Sequence, residues 1–136
     1  MTCKRSRRIL LADDNAAIQK IVKRVAERFG HGVIEVTAGT AVVDVAAAEL
    51  PDVIVLDIEF PDADGRDVLA ALKLDRRTAQ IPVLVWSGRK SNSSDSRISL
   101  ELGAVDYVEK NVAQLLLRKL ERVLLKLDES HSGSSD

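Results

Sequence analysis

The sequence is poor in the residues that build disulfide frameworks and zinc sites. Its 136 residues include one cysteine, Cys3, and two histidines. A single cysteine cannot form an intramolecular disulfide, and this scarcity is typical of proteins from reducing compartments. The histidines are far apart, so together with one cysteine they do not supply the ligand set of a zinc site. These absences favour a cytoplasmic protein that is stabilised by its hydrophobic core.

Long apolar runs and an excess of one charge are also missing. No apolar segment approaches the roughly 18 residues of a membrane span, and no signal peptide precedes the first predicted strand. Lys and Arg number 20 against 21 for Asp and Glu, which gives a formal net charge of -1. A chain so close to neutrality has no bulk attraction for nucleic acid or for an anionic membrane. We expect neither as a partner, and the length indicates one domain.

The strongest pattern that is present lies in residues 51–57. Four branched apolar residues follow Pro51 and Asp52 without interruption, and Asp57 comes directly after them. Such a run is typical of a strand that is buried on both faces in the middle of a parallel sheet. Pro61 and Gly65 predict that the chain then turns over the strand end. Because open α/β sheets bind ligands at this edge, Asp57 is the first candidate functional residue.

Four further apolar segments predict strands, at residues 9–12, 33–36, 81–86 and 104–108. Helices are predicted between and after the strands from apolar residues at helical spacing. These residues are Ile18, Ile21, Val22, Val25 and Phe29 in the first helix, Val43, Ala46, Ala47 and Leu50 in the second, Val68, Leu69 and Leu72 in the third, Ile98 and Leu102 in the fourth, and Leu116, Leu120, Val123, Leu124 and Leu127 in the last. Five strands alternating with five helices imply an α/β fold, with a doubly wound parallel sheet.

Capping residues and polar segments indicate the boundaries of these elements. Asn15, Asp64 and Asn111 can each cap the helix that follows, and Gly30 and Gly103 can end a helix. Residues 1–7 form a basic lead, residues 8–127 the folded domain and residues 128–136 a polar tail that we expect to be disordered. We expect residues 89–96, which include four serines and no apolar side chain, to form a mobile loop.

A parallel sheet brings the carboxyl ends of all its strands to one edge. There the sequence places Asp13 and Asp14 after the first strand, Asp57 after the third, Ser87 after the fourth and Lys110 after the fifth. Three carboxylates in one crevice repel each other, and a divalent cation such as Mg²⁺ relieves this repulsion. One carboxylate oxygen can then attack a phosphorus atom, while Lys110 and Ser87 interact with the phosphoryl oxygens. The residues therefore predict an aspartyl phosphate site.

Taken in order, these motifs resemble those of two-component response-regulator receiver domains over nearly the whole chain. The matching residues are Asp13, Asp14, Asp57, Pro61, Gly65, Ser87, Gly88, the segment 103–107 and Lys110. The resemblance implies a flavodoxin-like fold with strand order 2-1-3-4-5. It also implies a stand-alone switch or phosphorelay intermediate, not an enzyme, which assists only its own phosphorylation and dephosphorylation. The implied partners are a histidine kinase or phosphotransfer protein and an unknown protein target, with the chain a monomer or weak dimer.

The resemblance assigns a role to each residue of the site. Asp57 is the phosphoacceptor. The ligands of Mg²⁺ are Asp14, Asp57 and the backbone carbonyl oxygen of Glu59, and Asp13 contributes through a water molecule. Lys110 and Ser87 interact with the phosphoryl oxygens. Ser87 and Tyr107 move together when the phosphoryl group arrives.

Two positions depart from the family pattern. Asn111 stands where the family usually has a proline, and a cis bond without proline costs about 2.5 to 4 kcal/mol, so we expect the Lys110–Asn111 peptide to be trans. Glu59 and Arg89 each follow a site residue by two positions. If they pair across the phosphoryl group, they slow its hydrolysis. If Glu59 instead orients the attacking water, hydrolysis is faster.

Two other classes of function are weighed against this hypothesis. A phosphorylation-independent receiver could serve purely as a protein-interaction module with the same fold. Among enzymes, a dehalogenase-type phosphatase needs a second aspartate where this chain has Glu59. A flavodoxin-like FMN carrier needs a phosphate-binding loop where Asp13 and Asp14 would repel the phosphate. The chain also has no glycine-rich nucleotide motif, so the phosphoacceptor switch remains the first hypothesis.

Overall fold

Strands and helices alternate along the chain, of which the computed structural model describes residues 7–88, 94–109, 116 and 118–126. The strands are β1 (Arg8–Ala12), β2 (Gly32–Val36), β3 (Val53–Asp57), β4 (Val83–Ser87) and β5 (Asp106–Glu109). The helices are α1 (Ala16–Arg28), α2 (Val42–Glu49), α3 (Gly65–Leu74) and α4 (Ser94–Glu101). Residues 116 and 118–126 are also helical and are called α5. A 3₁₀ turn, Gly39–Ala41, precedes α2.

All five strands pair in parallel within one sheet, in the order β2-β1-β3-β4-β5. This order confirms the predicted flavodoxin-like α/β topology. Every residue of β3 is buried, as the uninterrupted apolar run before Asp57 predicts, and every residue of β4 is buried as well. None of the helices in the described part of the chain combines the length and the hydropathy that a membrane span requires.

The two faces of the sheet form two separate hydrophobic cores. Successive residues of a strand point to opposite faces. On one face Ile54 and Leu56 pack with residues of α2 and α3, and on the other Val53 and Val55 pack with residues of α1 and α5. The crossover helices therefore cover both faces, which is the doubly wound arrangement that the alternation of elements predicts.

Three of the residues predicted to cap or end helices do so in the structure. The Asn15 side chain accepts hydrogen bonds from the backbone N–H groups of Ala17 and Ile18, at 3.0 and 3.2 Å. Asp64 caps α3 in the same way, accepting from the Arg66 N–H at 2.9 Å. Gly30, just after α1, has a φ of +84°, a left-handed conformation that favours glycine where a helix stops.

The predicted inner face of α1 is partly wrong. Ile21 and Phe29 are 58% and 61% exposed, whereas the buried residues of this helix are Gln19, Val22 and Ala26. The stripe that contacts the sheet therefore begins with a polar residue. The apolar residues alone predict a contact face that includes Ile21 and Phe29, because the polar Gln19 is not counted as part of an apolar stripe.

Several element boundaries also differ from the prediction. Leu50 does not lie on the inner face of α2, since its φ of 48° ends the helix and its side chain is 60% exposed. β4 begins at Val83 because the N–H of Ile81 donates to the Thr78 carbonyl in a turn. β5 begins at residue 106 because the Ala104 N–H donates back to the Ser99 carbonyl of α4.

Several predictions for the termini and the loops concern residues that lie wholly or partly outside the described part of the chain. Residues 94–96, which the sequence assigns to a loop, are helical, and the remainder of that loop, residues 89–93, lies outside the described residues. The predictions for residues 1–6, for the Lys110–Asn111 peptide and for the tail likewise fall outside them. Arg7 is described and is buried, and its guanidinium lies 3.3 Å from the Asp52 carboxylate.

Candidate functional site

The carboxyl ends of β1 and β3 bring three aspartates together. The strand register pairs Ala12 with Leu56, so Asp13 and Asp57 follow at neighbouring positions of the sheet edge. Asp13, Asp14 and Asp57 each offer a carboxylate oxygen, and these oxygens all lie within 4.8 Å of one another. Asp13 and Asp57 are buried, and Asp14 is exposed. The structure thus brings together the acidic residues that the sequence predicts at this edge.

Backbone hydrogen bonds orient the two buried carboxylates. Oδ1 of Asp13 accepts from the Asn15 N–H at 2.8 Å, and Oδ1 of Asp57 accepts from the Glu59 N–H at 3.0 Å. The Asp13 N–H in turn donates to the Val36 carbonyl at 3.0 Å. Each carboxylate is therefore held by the loop that follows its own strand.

Gln19 supports this site, and the sequence analysis does not identify it. Its buried side-chain amide donates to the Asp13 carbonyl at 2.6 Å and to the Val36 carbonyl at 3.3 Å. These bonds join α1 to the ends of β1 and β2. The available signal is a polar residue in the buried stripe of α1, where a side chain without partners would be costly.

The charges of the three aspartates need compensation. At the upper limit of 4.8 Å between their oxygens, two charged carboxylates repel each other by roughly 3 kcal/mol at an effective dielectric constant near 20. A divalent cation with a preference for oxygen ligands offsets this repulsion, and Mg²⁺ commonly binds to carboxylates together with water. The donor set and its convergence fit such an ion.

The loop of residues 58–64 passes closely over the end of β3. The Gly65 N–H donates to the Ile58 carbonyl at 2.8 Å, and Glu59 and Asp64 form an antiparallel bridge. A Cβ atom on Gly65 would lie 2.4 Å from the Ile58 Cα and 2.5 Å from the Asp57 carbonyl oxygen. Only glycine is compatible with this approach. The turn predicted after β3 is therefore confirmed, and it brings the Glu59 backbone next to the aspartates.

Ser87 and Tyr107 are both buried near this edge. Ser87 ends β4, and its Cα partner is Glu109 at the end of β5. Tyr107 pairs with Val85, two residues before Ser87, so Ser87 and Tyr107 project from the same face of the sheet. Lys110 and Arg89 lie outside the described residues, and their predicted roles remain predictions.

Arg66 is a cation near Glu59 that the sequence analysis does not consider. Glu59, which is exposed, and Arg66, which is partly buried, line one cavity of about 370 Å³, together with Phe60 and other loop residues. Arg66 also forms a two-point ion pair with Asp64, with its Nε at 3.2 Å from Oδ1 and its Nη2 at 2.9 Å from Oδ2. Arg66 is thus a cation in the cavity that Glu59 lines, where it pairs with Asp64.

Trp86 lies beside the phosphoacceptor candidate. Its Cα is the register partner of Asp57, and its side chain is buried in the core between the sheet, α1 and α5. The indole Nε1 is buried and has no hydrogen-bond partner among the described residues. Its ring is therefore in a position to respond to changes at Asp57.

The fold and the acidic cluster agree with the comparison of the chain with known families. The family model of the response regulator receiver domain matches residues 9–121, so the chain belongs to this family of two-component signalling domains. The family is one of phosphoacceptor signalling domains rather than of enzymes in the ordinary sense.

Individual relatives show the same relationship. The alkaline phosphatase synthesis transcriptional regulatory protein PhoP of Bacillus subtilis is 30% identical over 131 residues, which are 96% of this chain and 53% of that protein. The chain spans about half the length of this curated relative. The receiver domain protein (CheY-like) of Methanospirillum hungatei is 26% identical with a TM-score of 0.83, over 93% of this chain and 99% of that one. The phosphorylated cyanobacterial phytochrome response regulator RcpA is 29% identical with a TM-score of 0.74, over 89% and 95%.

Proposed function

We propose that the chain is a phosphorylation-driven switch or phosphorelay intermediate. In this proposal Asp57 accepts a phosphoryl group from a histidine kinase or a phosphotransfer protein, and the phosphorylated form binds another protein. The observation that carries the proposal is the convergence of three carboxylates on a buried Asp57 at the carboxyl edge of the sheet. The likeness to RcpA, whose structure is of a phosphorylated form, supports it.

The acidic cluster would hold Mg²⁺. As the family resemblance implies, we assign Asp14, Asp57 and the Glu59 backbone carbonyl as direct ligands and Asp13 as a ligand through water. Backbone hydrogen bonds already orient the carboxylates of Asp13 and Asp57. When bound, the ion supplies positive charge that offsets the carboxylates and the incoming phosphoryl group.

The transfer itself uses the carboxylate of Asp57. One of its oxygens attacks phosphorus, and the bond from phosphorus to the imidazole nitrogen of the donor breaks. The electron pair stays on that nitrogen, which takes up a proton. Ser87, at the end of the neighbouring strand, and Lys110 would contact the phosphoryl oxygens. The chain assists only this reaction and the later hydrolysis, in which Glu59 and Arg89 would tune the rate.

The output surface would include α4, β5 and α5. Ser87 and Tyr107 share one face of the sheet next to α4, so a coupled movement of the two would alter this surface. Among the exposed side chains on its helices, the candidates for contact are Arg97, Glu101, Arg118 and Arg122. The near-neutral net charge supports a protein target rather than nucleic acid, and we propose a monomer or weak dimer in the cytoplasm.

Mass spectrometry after incubation with acetyl phosphate and Mg²⁺ tests the proposed function. We expect the wild type to gain one acid-stable, alkali-labile phosphoryl group and Asp57→Asn to gain none. The matched control is Asp67→Asn, which removes an exposed carboxylate of α3 outside the cluster and should label like the wild type. Equal labelling of Asp57→Asn, or an unlabelled wild type with every small phosphodonor, would favour the interaction-module alternative.

A further inference from the structure

Asp62 fastens the loop of residues 58–64 to the 3₁₀ turn before α2. Its Oδ1 accepts from the Gly39 N–H at 3.0 Å, and its Oδ2 accepts from the Thr40 N–H at 3.0 Å and from the Thr40 hydroxyl at 2.9 Å. These hydrogen bonds, led by that of the Thr40 backbone, hold the pKa of the Asp62 carboxyl below its usual value. At neutral pH the acceptor is therefore the charged carboxylate, which makes the stronger bonds.

The turn and the loop are also in direct contact. A Cβ atom on Gly39 would lie 2.9 Å from the Ala63 Cβ and 3.0 Å from the Phe60 Cγ, so the backbone of the turn rests on these two side chains. At its base the loop is held by the bond from the Gly65 N–H to the Ile58 carbonyl. Asp62 supplies polar bonds at its outer side, where the loop is otherwise exposed.

We propose that Asp62 is a positioning residue for the metal site. It holds the loop in the conformation in which the Glu59 N–H donates to Oδ1 of Asp57, and this conformation would also set the position of the Glu59 carbonyl, the proposed ligand. This inference rests on the proposed function, in which Glu59 and Asp57 are ligands of Mg²⁺. Asp62 acts through the backbone between it and Glu59, three residues earlier in the chain.

The coupling between the Asp62 hydrogen bonds and Mg²⁺ binding must act in both directions. If the clamp of Asp62 with Gly39 and Thr40 favours the loop conformation that binds Mg²⁺, then Mg²⁺ must strengthen the clamp by the same free energy. The N–H groups of Gly39 and Thr40 are donors in the clamp, and they lie outside the proposed ligand set. Slower exchange of these amide hydrogens on addition of Mg²⁺ would thus report the coupling in the wild type itself.

Titration calorimetry of the full chain with MgCl₂ tests the inference. We expect Asp62→Ala to bind Mg²⁺ about three- to tenfold more weakly, at or below the lower end of the loss caused by removing a direct partner of a metal ligand. Asp62→Asn keeps a neutral acceptor oxygen and should recover part of the affinity. At saturating Mg²⁺ both variants should be labelled by acetyl phosphate at the rate of the wild type, because the reacting groups are unchanged.

The matched control is Asp75→Ala. Asp75 follows α3 and accepts from the Arg77 guanidinium at 3.1 and 2.7 Å and from the Arg77 backbone N–H at 2.9 Å, and these bonds lower the pKa of Asp75 to about 2. It is a partly buried loop carboxylate that, like Asp62, accepts three hydrogen bonds, but it lies at the opposite end of α3 from Gly65. Removing it should leave the affinity for Mg²⁺ unchanged.

The possible failures can be told apart. Wild-type affinity in Asp62→Ala, or an equal loss in Asp75→Ala, would overturn the positioning role while the proposed function stands. Unchanged exchange of the Gly39 and Thr40 amides in wild type saturated with Mg²⁺ would overturn it as well. A wild type that binds no Mg²⁺ would overturn both the inference and the metal site on which it rests.

Discussion

Replacement of Gly65 by alanine should destabilise the domain, because the added methyl group has no space. The three nearest atoms to an ideal Cβ are the Ile58 Cα at 2.4 Å, the Asp57 carbonyl oxygen at 2.5 Å and the Ile58 carbonyl oxygen at 2.6 Å. All three belong to the backbone, so rotation of a side chain cannot relieve the clash. The loop and the first turn of α3 would have to separate by roughly 1 Å, which is large for a closely packed interior.

The magnitude follows from the contacts that this movement breaks. Overpacking of this kind costs about 1 to 3 kcal/mol. Loss of the hydrogen bond from the Gly65 N–H to the Ile58 carbonyl adds about 1 kcal/mol. Alanine offsets about 1 kcal/mol of this by its helix propensity and by the lower entropy of the unfolded chain. We expect a net loss of about 2 kcal/mol, or roughly 8 °C in Tm for a domain of this size.

Urea denaturation followed by circular dichroism measures this loss. The control is Gly32→Ala, because a Cβ on Gly32 meets no atom within 4 Å. That variant should stay within about 0.5 kcal/mol of the wild type. If Gly65→Ala proves as stable as Gly32→Ala, the reasoning that the loop rests on the Gly65 backbone is refuted.

Three further predictions concern the helix cap, the tryptophan and the lifetime of the phosphoryl group. Asn15→Ala should lower the free energy of unfolding by about 1 kcal/mol through loss of the α1 cap, as measured by urea denaturation, and an unchanged value would contradict the capping role. Mg²⁺ with beryllofluoride should change the Trp86 emission, and Ser87→Ala should reduce the change; a flat signal with binding shown independently would mean that the ring is insulated. If Glu59 and Arg89 screen the phosphoryl group as a pair, each alanine variant should shorten its half-life, and an unchanged or longer half-life excludes the screen.

The cluster of aspartates could be predicted from the sequence because it depends on topology alone. Once alternating strands and helices indicate a parallel sheet, the residues that follow its strands must share an edge, and Asp13, Asp14 and Asp57 indeed converge there. The run before Asp57 predicts a central strand for a similarly simple reason, since only a strand covered on both faces is apolar at every position. Consistent local and global signals of this kind make the fold predictable.

The side-chain bonds that support the site could not be predicted in this way. Gln19 contacts a carbonyl 17 residues away, and Asp62 bonds to backbone groups 22 and 23 residues away. Such pairs depend on how the helix and the loops are rotated, and the apolar pattern leaves this rotation open, as the exposure of Ile21 and Phe29 shows. A polar residue in a buried stripe is a weak signal until its partners are known.

The position of each strand in the sheet also determines which side of the site can move at low cost. β3, which carries Asp57, has hydrogen-bonded neighbours on both sides, whereas within the described chain β5, which carries Tyr107, is bonded on one side only. Local opening of β5 disrupts one ladder, and displacement of β3 disrupts two, so the opening free energy should be lower at β5. Amide hydrogens of β5 should therefore exchange faster than those of β3. The phosphoacceptor is attached to the rigid centre of the sheet, and the tyrosine to the strand that deforms most easily.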